Sequence, residues 1–464
     1  MTGWVSYVHS NARVYEVIYY FCIVISLFIA YGLHIRWKRC GFSLLSPAGF
    51  YAILWSFVWL MQLVNPFGYY EVRNEIIVLS LLSVIMIGVG EFVGFSIKQP
   101  MRYQQTIYTN KFNNFLNINI IMAVVASIVI FFSVYIIFGN PFESGIGKII
   151  KEARGEDGIG MLRESPWFYV AQYANVMRGF LYLIMFVSIP LWLINRKKSI
   201  ILASIALLSS VILDISWGSR TLILDSFFML LFWYMLVNKK NKINSQKKSY
   251  SKKMVFVILI AGLLVIAQLL TTSTREKSLM DIKGLKVPYS AGQLLLYYSS
   301  PLVTFDQTFD KNETTYGLMS FGGVVNLLHL LRIYRDENLF VYDIMYDWEV
   351  DNPYYGDGGW NKRANTYSWL RYLYSDFGVL GLVIIPFVLG LISGYRFKKI
   401  ALNSGVNIID YIVLAFCFYI VVRSPIIMPL RTDYIVLSVI LLFVASVLLK
   451  KRSIKVVDVK KLAI

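Results

Sequence analysis

RANTYSWLRYLYSDFGVLGLVIIPFVLGLISG, residues 363–394, joins two kinds of chain in one stretch. From Phe377 onward it is apolar enough to open a membrane span, which takes about 20 such residues. Before Phe377 it is polar and aromatic. Read as a helix, it places Arg363, Tyr367 and Arg371 at i, i+4 and i+8, so two guanidiniums flank a phenol along one stripe. That reading puts the stripe at the membrane surface, aimed along the lipid boundary. The rest of the chain is then expected to hold this basic, aromatic surface over a cavity that accepts a lipid-linked anion.

The composition around it agrees. Of 464 residues, 57% are hydrophobic and only 16% charged, and mean hydropathy is +0.59. A soluble chain of this length needs far more polar surface to cover itself, so an all-α polytopic membrane protein is expected. Apolar runs fall near 14–35, 44–66, 76–97, 116–138, 169–194, 199–216, 221–237, 254–272, 377–396, 407–423 and 433–449, which makes about eleven spans. The divisions are helices over 1–272, a large outer segment at 273–376, and helices with a basic tail over 377–464. Residues 289–305 and 316–331 are apolar enough to dip into the membrane as well.

The net charge of +18 is topological and does not point to nucleic acid. Lys and Arg collect in alternate loops: Arg36, Lys38 and Arg39; Lys98, Arg102 and Lys111; Arg196 to Lys198; the Lys-rich 239–253; Arg396 to Lys399; and the tail from Lys450. Those loops hold one acid, Asp458. This bias orients the chain with its N-terminus outside and its C-terminus inside, with attraction to anionic headgroups as a by-product. The first span lacks the basic start and small-residue cleavage site of a signal peptide and is expected to be retained. Cys22, Cys40 and Cys417 lie in or at the inner ends of spans, so no disulfide framework is expected. The scattered His9, His34 and His329 cannot form a His-rich metal site.

Two outer segments stand out. Residues 139–168 carry Arg154 and Arg163 between Gly and Pro punctuation. Residues 273–376 run to about a hundred, too long for an idle connection. Arg220, in WGSRT at a tight outer turn, is costly unless it reaches water or a partner; a snorkelling arginine is the plainer alternative. Arg423 and Arg431 bracket SPIIMPL and are further candidates for phosphate or headgroup contact. Arg178, inside a span, faces a water-filled cavity or pairs with Glu91 or Asp214. Guanidinium forks suit phosphate because they bind it bidentately and keep their charge.

Trp348, Tyr354, Tyr355, Trp360, Trp369 and Tyr372 suit stacking on sugar rings, although an interfacial aromatic belt also accounts for such residues. Asp347, Glu349 and Asp351 alternate, and a plain acidic strand face is favoured over a divalent-cation site. A base for an acceptor hydroxyl is His329, Asp351, Asp357 or Asp376, and sequence does not choose among them. No Walker motif, dinucleotide fingerprint or large inner domain is present, so any sugar donor must be lipid-carried and used at the outer face.

Several of these features together give a resemblance. LSPAGF (Leu45 to Phe50), GSRT (Gly218 to Thr221), YYSSPLVTFD (Tyr297 to Asp306) and NTYSWLRYLYSDFGVLG (Asn365 to Gly381) resemble the oligosaccharide repeat-unit polymerases, the O-antigen and capsule polymerases of Wzy type. The likeness covers the layout from about residue 40 to 450. It implies a multi-span glycosyltransferase, GT-C-like in architecture, in a bacterial plasma membrane. Such an enzyme moves a growing glycan from undecaprenyl pyrophosphate onto the next lipid-linked repeat unit, with no cofactor and no metal. It implies a chain-length regulator and a flippase as partners. Arg220, Arg363 and Arg371 are the matching positions for pyrophosphate or glycan recognition. Tyr367, Tyr355, Trp360, Arg423, Arg431, Arg154 and Arg163 are expected to line the substrate, and His329 or Asp376 to move its proton.

Overall fold

The computed structural model describes residues 2–39, 46–66, 71–98, 102–107, 109–138, 166–217, 222, 225–229, 279–282, 285–288, 295–309, 314–331, 333, 368–402 and 407–455. In chain order the helices are α1 (Thr2–Arg39), α2 (Pro47–Val64), α3 (Asn74–Ser96), α4 (Asn110–Phe138), α5 (Pro166–Val176), α6 (Arg178–Leu191), α7 (Arg196–Trp217), α8 (Pro301–Phe309), α9 (Leu318–Leu330), α10 (Trp369–Leu402), α11 (Ile408–Arg423) and α12 (Asp433–Leu448). Two short antiparallel ribbons accompany them: β1 (Arg102–Ile107) with β4 (Lys450–Lys455), and β2 (Leu279–Ile282) with β3 (Leu285–Pro288).

The fold is therefore helical. Among the described residues, five helices are long and apolar enough to cross a membrane: Glu16–Arg39, Pro47–Val64, Asn74–Ser96, Asn110–Ile137 and Trp369–Ala401. Shorter apolar helices cover Tyr173–Ser188, Leu318–His329 and Asp433–Leu448. Helix occupies each expected span except 254–272, which lies outside the described residues, and 221–237, of which only part is described. The acidic stretch 347–351 and the turn at 354–360 also lie outside them.

Local signals set several helix ends. Ser46 caps α2, accepting from the Gly49 N–H at 2.9 Å, with Pro47 in the first turn. Asn65 ends α2 in the left-handed conformation. Asn407 caps α11 through the Ile409 N–H.

The scaffold is built on α3 and α10, which run parallel. Gly90 and Gly94 of α3 rest on the carbonyls of Phe387 and Leu391, and Gly390 and Gly394 of α10 rest on those of Ile87 and Glu91. Each helix thus presents a Gly-xxx-Gly face to the other, and backbone meets backbone because no Cβ intervenes. In lipid, apolar side chains gain little by leaving their surroundings, so close packing of small residues drives association. Glu91, buried in this contact, accepts from Trp37 Nε1 (3.0 Å), the Ala48 N–H (3.0 Å) and Ser393 Oγ (3.1 Å). One carboxyl group therefore ties α1, α2, α3 and α10 together.

The cationic helix ends meet at one end of this bundle, as their loop partition anticipates. Arg36 of α1 donates to Ser96 Oγ and lies over Phe92 and Phe95. Lys398 caps the Ile97 carbonyl at 2.8 Å. Asp410 holds Arg396 at 2.7 Å and Lys399 at 3.4 Å. The β1–β4 ribbon links the chain before α4 to the chain after α12, register Arg102↔Lys455 to Ile107↔Lys450.

At the far end, the described helical parts of 295–376 fold back among the spans. Asp306 of α8 pairs with Arg73, the residue preceding α3, and Gln62 of α2 donates to the Ser299 carbonyl. α9 lies along α12 in the same direction, with Gly323 against the Leu430 and Thr432 carbonyls and Leu327 beside Val436. α10 reverses direction within itself: Gly378 sits at φ 60°, ψ −148°, a conformation open essentially to glycine alone. A Cβ on Gly381 would strike the Leu373 carbonyl, eight residues back and far away in a straight helix. The arm 369–377 therefore folds against the long arm that follows it.

Gly390→Ala and Gly394→Ala are expected to destabilise the purified protein by about 1–3 kcal/mol each, because a methyl group forces two backbones apart. Gly32→Ala, where an added Cβ meets nothing within 4 Å, is expected to be neutral or slightly stabilising. Thermal unfolding in detergent compares the three, and equal melting temperatures would contradict the backbone contact.

Candidate functional site

The far end of the bundle has a floor set below its rim. Asp410 lies level with Arg396 and Lys399, which it holds. From Asp410 to Arg423, α11 rises about 20 Å, whereas the long arm of α10 covers about 27 Å between Arg396 and Gly378. α12, like α11, has 16 residues. The turn between them, 424–432, consequently stops short of the rim formed by the ends of α2 and α3 and the bend at Gly378. Three short pieces pack around and above it: α8 with the helical turn before it, the short arm of α10, and α9, which meets the turn at Gly323 and continues along α12.

Three of the expected arginines sit here. Arg371 is on the short arm, Arg423 ends α11 and Arg431 lies in the 3₁₀ turn Pro429–Arg431; their exposures are 6%, 8% and 6%. The short arm reaches the floor directly, since the Trp369 N–H donates to the Ser424 carbonyl at 2.8 Å. Its indole donates to Tyr51 Oη at 2.8 Å, and Tyr51 shares a hydrogen bond with Ser83. The Arg431 guanidinium lies 4.5 Å from the ring centre of Tyr372, a cation–π contact strengthened by burial.

Arg371 is therefore buried and not on the surface stripe expected from the sequence. The helix runs from Trp369 and its first arm is enclosed by other helices, while the other two members of that stripe, Arg363 and Tyr367, lie outside the described residues. Trp369 and Tyr372 are buried core residues there.

Arg423 has a partner that the sequence did not indicate. Its Nε lies 2.8 Å from Asp225 Oδ1, and its Nη2 donates to Asp225 Oδ2 at 2.9 Å. Asp225 also accepts from Tyr182 Oη at 2.6 Å and Tyr419 Oη at 3.4 Å, while the Tyr182 ring stacks on Tyr434. Arg423, Asp225, Tyr182 and Tyr419 are buried, and Tyr434 is half-buried. Opposite charges in two apolar spans, 221–237 and 407–423, were the available signal. Arg178, at the junction of α5 and α6, is near enough for its charge to act on Asp433 and Tyr434. Glu91 is instead engaged in the α3–α10 contact.

Asp376 is placed as a helix anchor. Its carboxylate accepts from the Met319 N–H at 3.0 Å, the Ser320 N–H at 2.6 Å and Thr315 Oγ1, and so caps α9, whose own cap position is Gly317. Negative charge at a helix N-terminus is favourable. His329 lies in the last turn of α9, about 15 Å along the helix from that cap. The two groups therefore cannot serve one reaction centre together.

Arg220, Arg363, Arg154, Arg163, Tyr367, Tyr355 and Trp360 lie outside the described residues. Among the described residues no cluster of His, Cys, Asp and Glu could hold a metal ion. The chain matches no family model, no curated protein and no solved structure.

Replacing Asp225 by Ala strands a buried guanidinium and is expected to cost about 3–5 kcal/mol. Combining it with Arg423→Met should recover much of that loss. A double-mutant cycle on melting temperatures checks this, and strict additivity would show that the pair is not coupled.

Proposed function

We propose that this chain is a polymerase of lipid-linked oligosaccharide repeat units, transferring a growing glycan from undecaprenyl pyrophosphate to the next lipid-linked unit. The observation that carries the reading is the burial of Arg423 and Arg431 on a recessed floor and of Arg371 on the arm packed against it, at the end of the bundle away from the cationic loops. The cationic end is the cytoplasmic one by the charge rule, which puts the recess on the outer side of a bacterial plasma membrane. In this reading the N-terminus is outside, the C-terminus is inside, and the spans number about eleven in a GT-C-like arrangement. The sequence resemblance to repeat-unit polymerases points the same way.

In the reaction the acceptor hydroxyl oxygen bonds to the anomeric carbon as the bond to the pyrophosphate oxygen breaks. The hydroxyl proton passes to a base, and undecaprenyl pyrophosphate leaves with its charge rising. Fixed guanidiniums beside that group lower the barrier. Arg371 and Arg431 are the better placed pair. The Nε–Nη2 edge of Arg423 is turned to Asp225, whereas the Arg431 guanidinium lies over the ring of Tyr372, the chain neighbour of Arg371. Arg220 and Arg363 complete the set in this reading. With Asp376 engaged on α9, His329, Asp351 and Asp357 remain to take the acceptor proton.

A second reading, a lipid-oligosaccharide flippase, draws on the short helices folded into one side of the bundle, because discontinuous helices line many transport sites. A ligase onto a lipid A core is the sibling enzyme, separated by the acceptor it consumes.

With purified protein and lipid-linked repeat units, Arg371→Ala and Arg431→Ala should each slow polymer formation about 10²–10³-fold while the protein inserts normally. Arg371→Lys should stay impaired, since a point charge lacks the fork. Wild-type polymer from all three contradicts the assignment. Labelled lipid-linked sugar crossing vesicles without lengthening would favour the transporter.

A further inference from the structure

The floor arginines are nearly enclosed, so a lipid-linked diphosphate reaches them only if something above them moves. The short arm of α10 and α9 are joined head to head at the rim. The Thr315 N–H donates to the Ser375 carbonyl at 3.1 Å. Asp376 caps α9 through Met319 and Ser320, and the Phe377 ring lies against Gly317 and Phe321. Three residues of positive φ flank this junction: Tyr316 at 48°, Gly317 at 95° and Gly378 at 60°. The joined pair grips the 424–432 turn at two points, Trp369 bonding Ser424 on one side and Gly323 seated against Leu430 and Thr432 on the other, and the last turns of α9 rest on α12 through Leu327 and Val436, a contact that opening also parts.

We infer that α9 and the short arm of α10 form one hinged cover over the arginine floor, turning at Gly378 and held together by Asp376. The inference rests on the reading of the floor as a lipid diphosphate site. Gly378 suits the hinge because its backbone conformation is reserved to glycine and a Cβ there would meet nothing within 4 Å. Arg371 and Tyr372 ride on the cover, whereas Arg423 and Arg431 belong to the floor. Opening therefore parts the Tyr372 ring from the Arg431 guanidinium, and closing brings Arg371 down towards whatever anion the floor has bound. Asp376 is a positioning residue in this scheme. It touches no ligand and acts by making two helices move as one.

The test reads opening without requiring activity. In full-length protein with Cys22, Cys40 and Cys417 replaced by Ser, Ser424→Cys places a thiol on the floor, where Ser424 is fully buried. Tyr316→Cys, at a position 86% exposed, is the reference for free access. In proteoliposomes, a membrane-impermeant maleimide should label the floor thiol far more slowly than the reference. Asp376→Ala should speed floor labelling about tenfold or more, as expected when charge-assisted hydrogen bonds are lost. Thr315→Val, which removes one donor to Asp376, should give an intermediate rate and serves if Asp376→Ala does not accumulate. Floor labelling as fast as the reference in the parent, or unchanged in the Asp376 and Thr315 variants that do fold, overturns the cover. Farnesyl diphosphate is the ligand probe. If it fails to protect the floor thiol while the variants still change the labelling rate, the hinge stands and the diphosphate reading falls.

Discussion

The direct contact of two helix backbones, α3 on α10, is the constraint from which the rest of the arrangement follows. Four glycines remove the side chains that would separate the helices, and the Glu91 carboxyl group draws α1 and α2 onto the same seam. Because the two helices run parallel and are locked in register, their ends define a common rim and a common cationic base. A membrane interior offers no water to satisfy Glu91, so its hydrogen bonds to Trp37, Ala48 and Ser393 make that register hard to shift.

Against this fixed frame, length becomes functional. α11 and α12 start from the cationic end, where Asp410 holds Arg396 and Lys399, and neither is long enough to reach the rim. A shortfall of about 7 Å, roughly five residues of helix, turns an ordinary hairpin into the floor of a recess. Arginines at the hairpin ends are thereby buried instead of exposed to headgroups. The chain compensates by neutralising Arg423 with Asp225 and by setting Arg431 over Tyr372, two different ways of keeping a cation in a low-dielectric place. Half-length helices from 295–309, 314–331 and 368–377 pack around and above that floor, the second of them continuing along α12.

What could be read from the sequence was what is local. Hydropathy located the helices, and Lys/Arg bias predicted which helix ends meet, because both properties belong to single segments. The apolar runs at 289–305 and 316–331 were legible as dipping elements for the same reason. The arm 369–377 was not: its arginine and tyrosines look like surface, and only its contacts with Ser424 and Tyr51 reveal its depth. The Asp225–Arg423 pair joins residues almost two hundred positions apart, which no local pattern encodes. The Gly-xxx-Gly faces were present at Gly90 and Gly390, yet they acquire meaning only once the two spans are known to touch. Asp376 had the residue type of a base, and its neighbours make it a cap.

Cryo-electron microscopy of the protein in nanodiscs with undecaprenyl pyrophosphate tests the central claim most directly, because it locates the diphosphate and the short helices in one view. The account predicts diphosphate density within hydrogen-bonding distance of Arg371 and Arg431, with α9 and the short arm of α10 closed over it. Diphosphate density confined to the cationic end, with the recess and its arms unchanged, would contradict it.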